Sequence, residues 1–266
     1  MKNFSQVEGN HPMSVERFFS LVRMRLHWGY AVSVPGASKQ KPSLLLPPPT
    51  TLVGALSYGK FRGRDSEFLS GQNASPAIFL GDVRAVARFA DGCAGMYAED
   101  VVKNMISYFQ EARKDKETGQ MRTTSMKYRS NIIPSGRVYA PGSELLALYV
   151  TSDLDPDELK KLSWSIIRLG SKEGLVSVEE VRTGVAKPVQ GRVRTRYYFP
   201  ATVRHGGFEG ADFMLLDFWE GGYAWGKEAA KKTYVVPMPR FPIACNEVWA
   251  EAKEAYECDG ETVVFS

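Results

Sequence analysis

The chain has 266 residues, of which 44% are apolar and 24% are charged, and its formal net charge is +4. A chain of this length can bury one large core or two smaller ones. No apolar run approaches the roughly 20 residues that span a bilayer, and the N-terminus lacks the apolar core of a signal peptide. A cytoplasmic protein with no membrane contact is therefore expected.

Cysteine and histidine are too few and too scattered to indicate a metal site or a disulfide framework. The three cysteines are odd in number and widely spaced, which favours reduced thiols. The chain contains no Cys-x-x-Cys pair and no His-x-x-x-His pair, so we predict no metal and no cofactor. These residues are Cys93, Cys245, Cys258, His11, His27 and His205.

The basic residues are concentrated in three windows that contain no aspartate or glutamate, namely Arg17–Arg64, Thr118–Ser143 and Val181–Phe208. These windows hold 18 of the 34 lysines and arginines and none of the 30 acidic residues. Such segregation is typical of a protein that binds a polyanion, and it favours nucleic acid. An interaction protein whose basic surface meets acidic protein partners, without RNA, is the alternative from another class.

The first predicted element is a strand over Phe18–Trp28, where apolar and basic side chains alternate. One face is apolar and should pack inward, while the other is basic and should face outward. RNA-recognition sheets present their binding face in this way. The apolar face holds Val22, Met24, Leu26 and Trp28, and the basic face holds Arg23, Arg25 and His27.

A rigid arm and a short helix follow. The three prolines Pro47–Pro49 stiffen the chain and disfavour helix before them. Thr50 and Thr51 offer a hydroxyl cap to an apolar helix that we expect to stop near Gly59. A helix N-terminus held by a rigid arm is a candidate anion site, although a buried helix entered by a tight turn explains the same residues.

A second strand is predicted over Ile78–Phe89 and a helix over Val101–Glu111, where the apolar spacing is ambiguous. The segment Arg113–Arg129 is too polar for a core and too long for an ordinary connection. We interpret it as a protruding hairpin or arm, with a disordered loop as the alternative. A further strand is predicted over Glu144–Thr151.

The strongest helix start is at Asp155, because a proline follows it directly and a glutamate lies three residues later. Apolar residues at three- and four-residue spacing continue the predicted helix to Gly170. The glycine-rich loop Gly170–Gly174 then leads into a strand over Leu175–Val181. The apolar helix positions are Leu159, Leu162, Ile166 and Leu169.

The resulting order of strand, helix, strand, strand, helix, strand is that of a ferredoxin-like, RNA-recognition-motif-like α+β domain. We place this domain at residues 1–185, with a thumb insertion at about 110–140. Residues 186–266 are predicted to form a smaller, mostly β C-terminal region. Its first predicted strand places Arg192, Arg194 and Arg196 on one face.

Few residues support catalysis. There is no nucleophile elbow and no Walker motif, and the loop Gly170–Gly174 lacks the Gly-Lys-Ser/Thr pattern of a P-loop. With Ser171 and Lys172, the same loop is a candidate phosphate site because it offers backbone access and a charge. The remaining catalytic hypothesis is metal-independent RNA cleavage, with His27 as general base and Lys172 or Tyr58 beside it.

Residues 46–56 (LPPPTTLVGAL) and 168–178 (RLGSKEGLVSV), together with the basic first strand, resemble the CRISPR-associated protein 5 family in its archaeal-type form, type I-A. The first segment is the more specific motif. The glycine-rich loop is shared across the wider repeat-associated RNA-binding superfamily. The resemblance covers roughly residues 17–181.

This resemblance implies a non-catalytic subunit of a type I Cascade interference complex in CRISPR antiviral defence. Such a subunit caps the 5′ handle of the crRNA and contacts the repeated backbone subunit and the large subunit that reads the PAM. Its thumb hairpin, matched here by Arg113–Arg137, folds over the RNA at a kinked nucleotide. One branch, type I-C, instead cuts precursor RNA, and its tyrosine, lysine and histidine set has no clear match here.

The resemblance implies handle contacts on the first strand, on the Lys39–Thr51 arm, on Arg168–Lys172 and on the thumb. Base stacking on Tyr128, Tyr197 and Tyr198 is expected as well. An endoribonuclease that processes CRISPR repeat RNA is the alternative function. The candidate RNA-binding residues are Arg23, Arg25, His27, Lys39, Lys41, Pro49, Thr50, Thr51, Arg122, Lys127, Tyr128, Arg129, Arg168, Ser171, Lys172, Arg192, Arg194 and Arg196.

Overall fold

The structure is a computed structural model that describes residues 15–35, 42–63, 80–114, 118–207, 212–220, 230–238 and 247–266. Two helices lie within these ranges, α1 at Pro49–Phe61 and α2 at Pro156–Trp164. The strands of the same ranges are β1 Phe18–Leu26, β2 Gly29–Tyr30, β3 Val83–Phe89, β4 Met96–Lys114, β5 Met121–Tyr139, β6 Glu144–Thr151, β7 Val176–Val185, β8 Lys187–Thr195, β9 Phe199–Pro200, β10 Arg204–Gly207, β11 Phe213–Glu220, β12 Ala230–Pro237, β13 Val248–Cys258 and β14 Glu261–Val264.

Four antiparallel strands form a central sheet in the order β3–β6–β1–β7. In the chain, α1 lies between β1 and β3, and α2 lies between β6 and β7. Both helices pack on this sheet, α1 against β3 and α2 against β1 and β7. The strand predicted at Glu144–Thr151 is confirmed with the same bounds, and the one predicted at Phe18–Trp28 ends two residues earlier.

Both faces of the central sheet are largely buried along the first half of β1, so the predicted outward basic face is limited to the end of the strand. Val22, on the face toward the helices, is 0% exposed. Phe19 and Leu21 lie on the same face as the arginines and are only 6% and 2% exposed. The C-terminal region shares their apolar cluster. Solvent reaches that face of β1 at its end, at Arg23 and Arg25.

Helix α1 begins without the predicted threonine cap. Its N-cap is Pro48, with extended φ and ψ of −69° and 164°, and no side chain bonds to the free N–H groups. Thr50 and Thr51 lie inside the first turn, because Pro49 has the fixed φ that suits the first helical position. The helix ends at Phe61, slightly beyond the predicted stop.

The predicted start of α2 is confirmed, but its predicted end is not. The Asp155 carboxylate accepts hydrogen bonds from the backbone N–H groups of Asp157 and Glu158, both at 2.9 Å. The helix stops at Trp164, well before Gly170. The four predicted apolar positions are nevertheless all buried, because the irregular segment after the helix turns Ile166 and Leu169 inward. They are Leu159, Leu162, Ile166 and Leu169.

The prediction of a helix over Val101–Glu111 is wrong, because this segment belongs to strand β4. Strands β4 and β5 pair from Met96 opposite Tyr139 to Lys114 opposite Met121. The pairing extends well to the N-terminal side of the predicted insertion. Sequence spacing could not distinguish the two conformations, and the β-branched residues of β4 favour the extended one once β5 supplies a partner ladder.

Two further sheets contain the strands after Ala186. In one, β10 and β14 pair with opposite ends of β13, and β8 pairs along the other edge of β13. The other has the order β11–β12–β9. Across the ranges that the structure describes, the regular elements after Ala186 are all strands. The C-terminal region is thus built from β-structure in its described part.

Ion pairs join the central sheet to the C-terminal hairpin β13–β14. On β3, Arg84 contacts Glu254 at 2.5 Å and Arg88 contacts Glu261 at 2.5 Å. A third pair links Arg182 of β7 to Asp259. Together with the shared apolar cluster, these pairs make the C-terminal strands part of the support of the central sheet.

Candidate nucleic-acid interface

Three buried tyrosines fix the proline arm and the first turn of α1. Prolines cannot donate hydrogen bonds, and the carbonyl groups of a buried irregular segment need donors from elsewhere. Phenol hydroxyls from β2 and from the turn before β9 supply them to the arm, and a third from β6 donates to a carbonyl in the first turn of α1. The bonds join Tyr30 to Leu45 O, Tyr149 to Leu52 O and Tyr198 to Pro47 O, at 2.5, 3.2 and 2.9 Å.

A groove of about 260 Å³ lies between one face of α1 and the segment after α2. The α1 residues recur at three- and four-residue spacing, so they form one face of the helix. The groove is deep because Gly54 and Ala55, in the middle of that face, have little or no side chain to fill it. The lining residues are Thr51, Gly54, Ala55, Tyr58, Ile167, Arg168 and Gly170.

The wall opposite α1 is the glycine-rich loop. Gly170 has a φ of +65°, and its neighbour Ser171 donates its backbone N–H to the Ala31 carbonyl at 3.2 Å. The loop closes where Leu169 N–H donates to the Gly174 carbonyl at 2.7 Å. Within the described residues, the buried Ser171 Oγ has no hydrogen-bond partner. The loop therefore holds an unsatisfied hydroxyl close to the groove.

We expect Gly170→Ala to destabilise the protein by about 2–3 kcal/mol. A Cβ at Gly170 would lie 2.6 Å from the Ala31 carbonyl oxygen, in addition to the strain of a left-handed residue. Gly142→Ala is the matched control, because Gly142 has a φ of +72° with nothing within 4 Å of a Cβ. Urea unfolding measures both variants, and equal losses would contradict a role for the close approach to Ala31.

An aromatic and cationic cluster flanks the other side of the loop. The rings of Trp28 and Tyr139 lie 5.7 Å apart, and the Arg137 guanidinium lies 5.4 Å from the Trp28 ring centroid. The Trp28 indole N–H donates to the Glu173 carbonyl, which ties the cluster to the glycine-rich loop. Sequence reasoning missed this cluster because alternation placed Trp28 on the packing face. Its residues come from two segments that are far apart in the sequence, Trp28 after β1 and the end of β5.

The structure brings together two of the segments predicted to bind RNA. Thr51 of the arm and Arg168 of the loop segment line the same groove. Pro49 and Thr50 belong to the adjoining first turn of α1, and Lys172 is exposed on the loop. These residues form the part of the predicted site that the fold places in one region.

Arg23 and Arg25 are close to acidic residues from neighbouring strands. The Arg25 side chain lies 2.9 Å from Glu179 and 3.6 Å from Glu144, and Arg23 lies 3.6 Å from Glu180. The side chains of the two arginines remain 42% and 52% exposed. Because exposed ion pairs are weak, an RNA phosphate can compete for these arginines, but the surface is mixed in charge.

His27 does not form the catalytic pair that its sequence position allowed. Its Nε2 lies 2.9 Å from Ser177 Oγ, at an exposed site next to the end of β1. In the described part of the chain, no hydrogen bond joins His27 to Lys172 or Tyr58. Tyr58 instead lines the groove, and the Arg62 guanidinium lies 5.6 Å from the centroid of its ring.

Six predicted site residues, or their side chains, lie outside the part of the chain that the structure describes. Lys39 and Lys41 lie outside the described residues. Strand β5 contains Arg122, Lys127, Tyr128 and Arg129, but the structure describes only the backbone of these residues. Their roles stay predictions.

The predicted stacking role of Tyr197 and Tyr198 is wrong, since both are 0% exposed. The tyrosines belong to the core beneath the proline arm. Arg192 and Arg194 are exposed on β8, whereas Arg196 lies just after the strand and contacts Glu247 and Asp91, both at 3.3 Å. No hydrogen bond or ion pair that the structure describes joins these three arginines to the groove.

Among the described residues there is no group of three or more metal-ligating side chains. No helix of the same residues is long and apolar enough to cross a membrane.

The chain is similar to known CRISPR-associated proteins. It is 50% identical to CRISPR-associated protein Cas5 3 of Saccharolobus solfataricus over 250 residues, which cover 93% of this chain and 99% of that protein. It is 48% identical, with the same coverage, to the CRISPR system aCascade subunit Cas5 1 of the same organism. A CRISPR protein from Archaeoglobus fulgidus has a similar fold, with a TM-score of 0.58 and 19% identity over 93% of this chain and 98% of that one.

No protein-family model matches the chain. The identity to the two Saccharolobus proteins extends over nearly their whole length, and so includes both the groove and the C-terminal strands. The chain belongs to the CRISPR-associated Cas5 family.

Proposed function

We propose that the protein is a non-catalytic subunit of a type I-A Cascade complex and binds the 5′ handle of crRNA in CRISPR antiviral defence. One of its relatives is named as an aCascade subunit. The observation that carries the proposal is the groove between α1 and the glycine-rich loop. It joins Thr51 to Arg168, two residues from the two sequence segments that resemble the family.

The groove has the size and chemistry for part of a single-stranded RNA. Its volume of about 260 Å³ is that of a small pocket, and it combines apolar side chains with Thr51, Tyr58 and Arg168. RNA-binding proteins splay single-stranded bases into such sites and hold the phosphates with arginine. The neighbouring Trp28 cluster offers stacking surfaces and the charge of Arg137.

The strand order β3–β6–β1–β7, with α1 between β1 and β3 and α2 between β6 and β7, supports the ferredoxin-like interpretation. We propose that the hairpin β4–β5 is the thumb and that residues 1–185 and 186–266 are the two parts of the chain. As partners beside crRNA we propose the repeated Cascade backbone subunit and the Cascade large subunit. The cytoplasm is the proposed location.

The contacts of His27 support the non-catalytic proposal over the endoribonuclease alternative. A general base needs access to a 2′-hydroxyl and a cation that stabilises the developing charge. Ser177 is the hydrogen-bonding partner that the structure gives to His27. Incubating the purified protein with labelled repeat RNA, without divalent metal, tests the alternative, because a product ending in a 2′,3′-cyclic phosphate would make the protein a nuclease.

Filling the groove should weaken handle binding without harming the fold. A Cβ at Gly54 would meet nothing within 4 Å, and leucine is a better helix former than glycine. We expect Gly54→Leu to weaken binding of the 5′-handle RNA at least about tenfold, as loss of one stacked base does. Fluorescence anisotropy measures the dissociation constant. Gly54→Ala is the matched control and should have a smaller effect.

An abasic scan identifies the base that enters the groove. Each handle nucleotide is replaced in turn by an abasic one, and binding is measured for the wild type and for Gly54→Leu. We expect one position where the abasic penalty in the wild type disappears in the variant, since the lost base and the added side chain affect the same contact. A full penalty at every position in both proteins would contradict the placement of RNA in this groove.

A further inference from the structure

One face of the C-terminal sheet β10–β13–β8 packs on a core and the other is exposed. Val248 and Ala250 of β13 are buried among apolar residues, with Val193 of β8 against the same cluster. Because neighbours along a strand point to opposite faces, Trp249 and Glu251 lie on the outer face. This part of the sheet belongs to neither the groove nor the Trp28 cluster.

Trp249 is at the centre of the outer face. In the pairing register it lies directly opposite Arg194 on β8 and Gly206 on β10. A Cβ at Gly206 would come within 2.8 Å of the indole, so the glycine lets the ring lie close over β10. The Arg192 guanidinium lies 4.4 Å from the ring centroid. The result is a partly exposed platform of an indole and a guanidinium.

The surroundings of this platform are rich in accessible cations. The side chains of Arg194 and Arg204 are 70% and 80% exposed. Their acidic neighbours are Glu247, 3.9 Å from Arg194, and Glu251, 3.3 Å from Arg204. Both are exposed ion pairs, which contribute little and are easily exchanged for a phosphate contact.

We propose that this surface, the Trp249 face formed by Trp249, Arg192, Arg194 and Arg204, is a second binding site for single-stranded nucleic acid. Arginine binds phosphates and stacks on bases with its planar guanidinium, and tryptophan offers a stacking surface to any base. The two types of contact together favour an extended polyanion with aromatic bases over an acidic protein segment. Recognition here is independent of sequence and of the handle groove.

The proposal is tested on the full-length protein with labelled oligothymidylate and oligouridylate. We expect the double variant Arg194→Glu/Arg204→Glu to bind both at least about tenfold more weakly. The slope of log affinity against log salt should fall by about 1.4, because two phosphate contacts on a single strand are lost. Binding of the 5′-handle RNA should change much less than binding of the homopolymers.

Two further variants separate the Trp249 face from general charge effects. Lys160→Glu/Lys161→Glu changes two exposed cations on α2 and is the charge-matched control, for which we expect little loss. Trp249→Leu should weaken homopolymer binding about fivefold or more with an unchanged salt slope, since only stacking is removed. Arg204→Gln, a mild single change at the most exposed arginine, gives the same test should the double variant fold poorly.

Equal weakening by the α2 control and by the double variant would overturn the proposal. So would a double variant that keeps homopolymer binding but loses binding of polyglutamate, because the face would then belong to an acidic protein partner. Loss of handle binding in Gly54→Leu, with homopolymer binding retained, would leave the Trp249 face standing. The two sites are thus tested separately.

Discussion

Raising the pH above about 10 should lower the free energy of unfolding steeply. Above this pH three buried tyrosines keep their phenol protons in the folded chain but lose them in the unfolded chain. Burial raises the pKa of Tyr30, Tyr149 and Tyr198, and all three are 0% exposed. Their hydroxyls also donate the hydrogen bonds that hold the proline arm and the first turn of α1. Ionisation would therefore remove both the burial and the support of α1.

The size of the effect follows from proton linkage. Below pH 10 the folded and unfolded chains both hold these protons, and the stability contributed by the tyrosines is complete. Above it the unfolded chain releases them and the folded chain does not, so the free energy of unfolding falls by about 1.4 kcal/mol per tyrosine and pH unit. Three tyrosines give about 4 kcal/mol per pH unit. Burial also raises the pKa of the Cys258 thiol to about 12, so a smaller loss begins near pH 9.

Tyr198→Phe provides the measurement. At neutral pH it should cost about 1–2 kcal/mol, because the hydroxyl that donates to the Pro47 carbonyl is gone. In urea unfolding between pH 9.5 and 11, its free energy of unfolding should fall less steeply than that of the wild type, by about 1.4 kcal/mol per pH unit. Parallel curves for the two proteins would show that this phenol does not stay protonated in the folded state.

The tyrosines also show what the sequence could and could not predict about the fold. Alternation identified β1, and the cap at Asp155 identified the start of α2, because these signals depend on neighbouring residues. The roles of Tyr197 and Tyr198 could not be predicted in this way. An aromatic pair next to basic residues fits a stacking surface equally well, and only the packing of the C-terminal strands beneath the proline arm shows that both are buried.

In the candidate site, too, local motifs were informative and contacts between distant strands were not predictable. Thr51 and Arg168 were identified from local motifs, and the fold brings them to one groove. The acid-free windows were less informative, because the acidic partners come from other strands. Arg25 is in a window without acids, yet Glu144 and Glu179 lie beside it in the sheet. Charge counted along a chain does not reveal the charges that a β-sheet places next to one another.

Breaking the ion pair of Arg88 should be among the most damaging changes at the junction of the two regions. Arg88 is 4% exposed and its guanidinium lies 2.5 Å from Glu261, which is 18% exposed. Arg88→Met leaves that carboxylate without its buried cation, so we expect a loss of about 3–5 kcal/mol in the free energy of unfolding. Arg88→Met/Glu261→Leu should recover part of the loss, because both charges are then removed together.

Arg84→Met is the matched comparison on the same strand. Its partner Glu254 also lies 2.5 Å away, but the two side chains are 34% and 27% exposed, and solvent screens the pair. We expect a cost of about 1 kcal/mol. Urea unfolding followed by fluorescence measures all three variants, and a single transition is expected because the central sheet and the C-terminal strands share one core. Equal costs for Arg84→Met and Arg88→Met, or a separate early transition of the C-terminal strands, would show that the buried pair does not join the two regions into one folding unit.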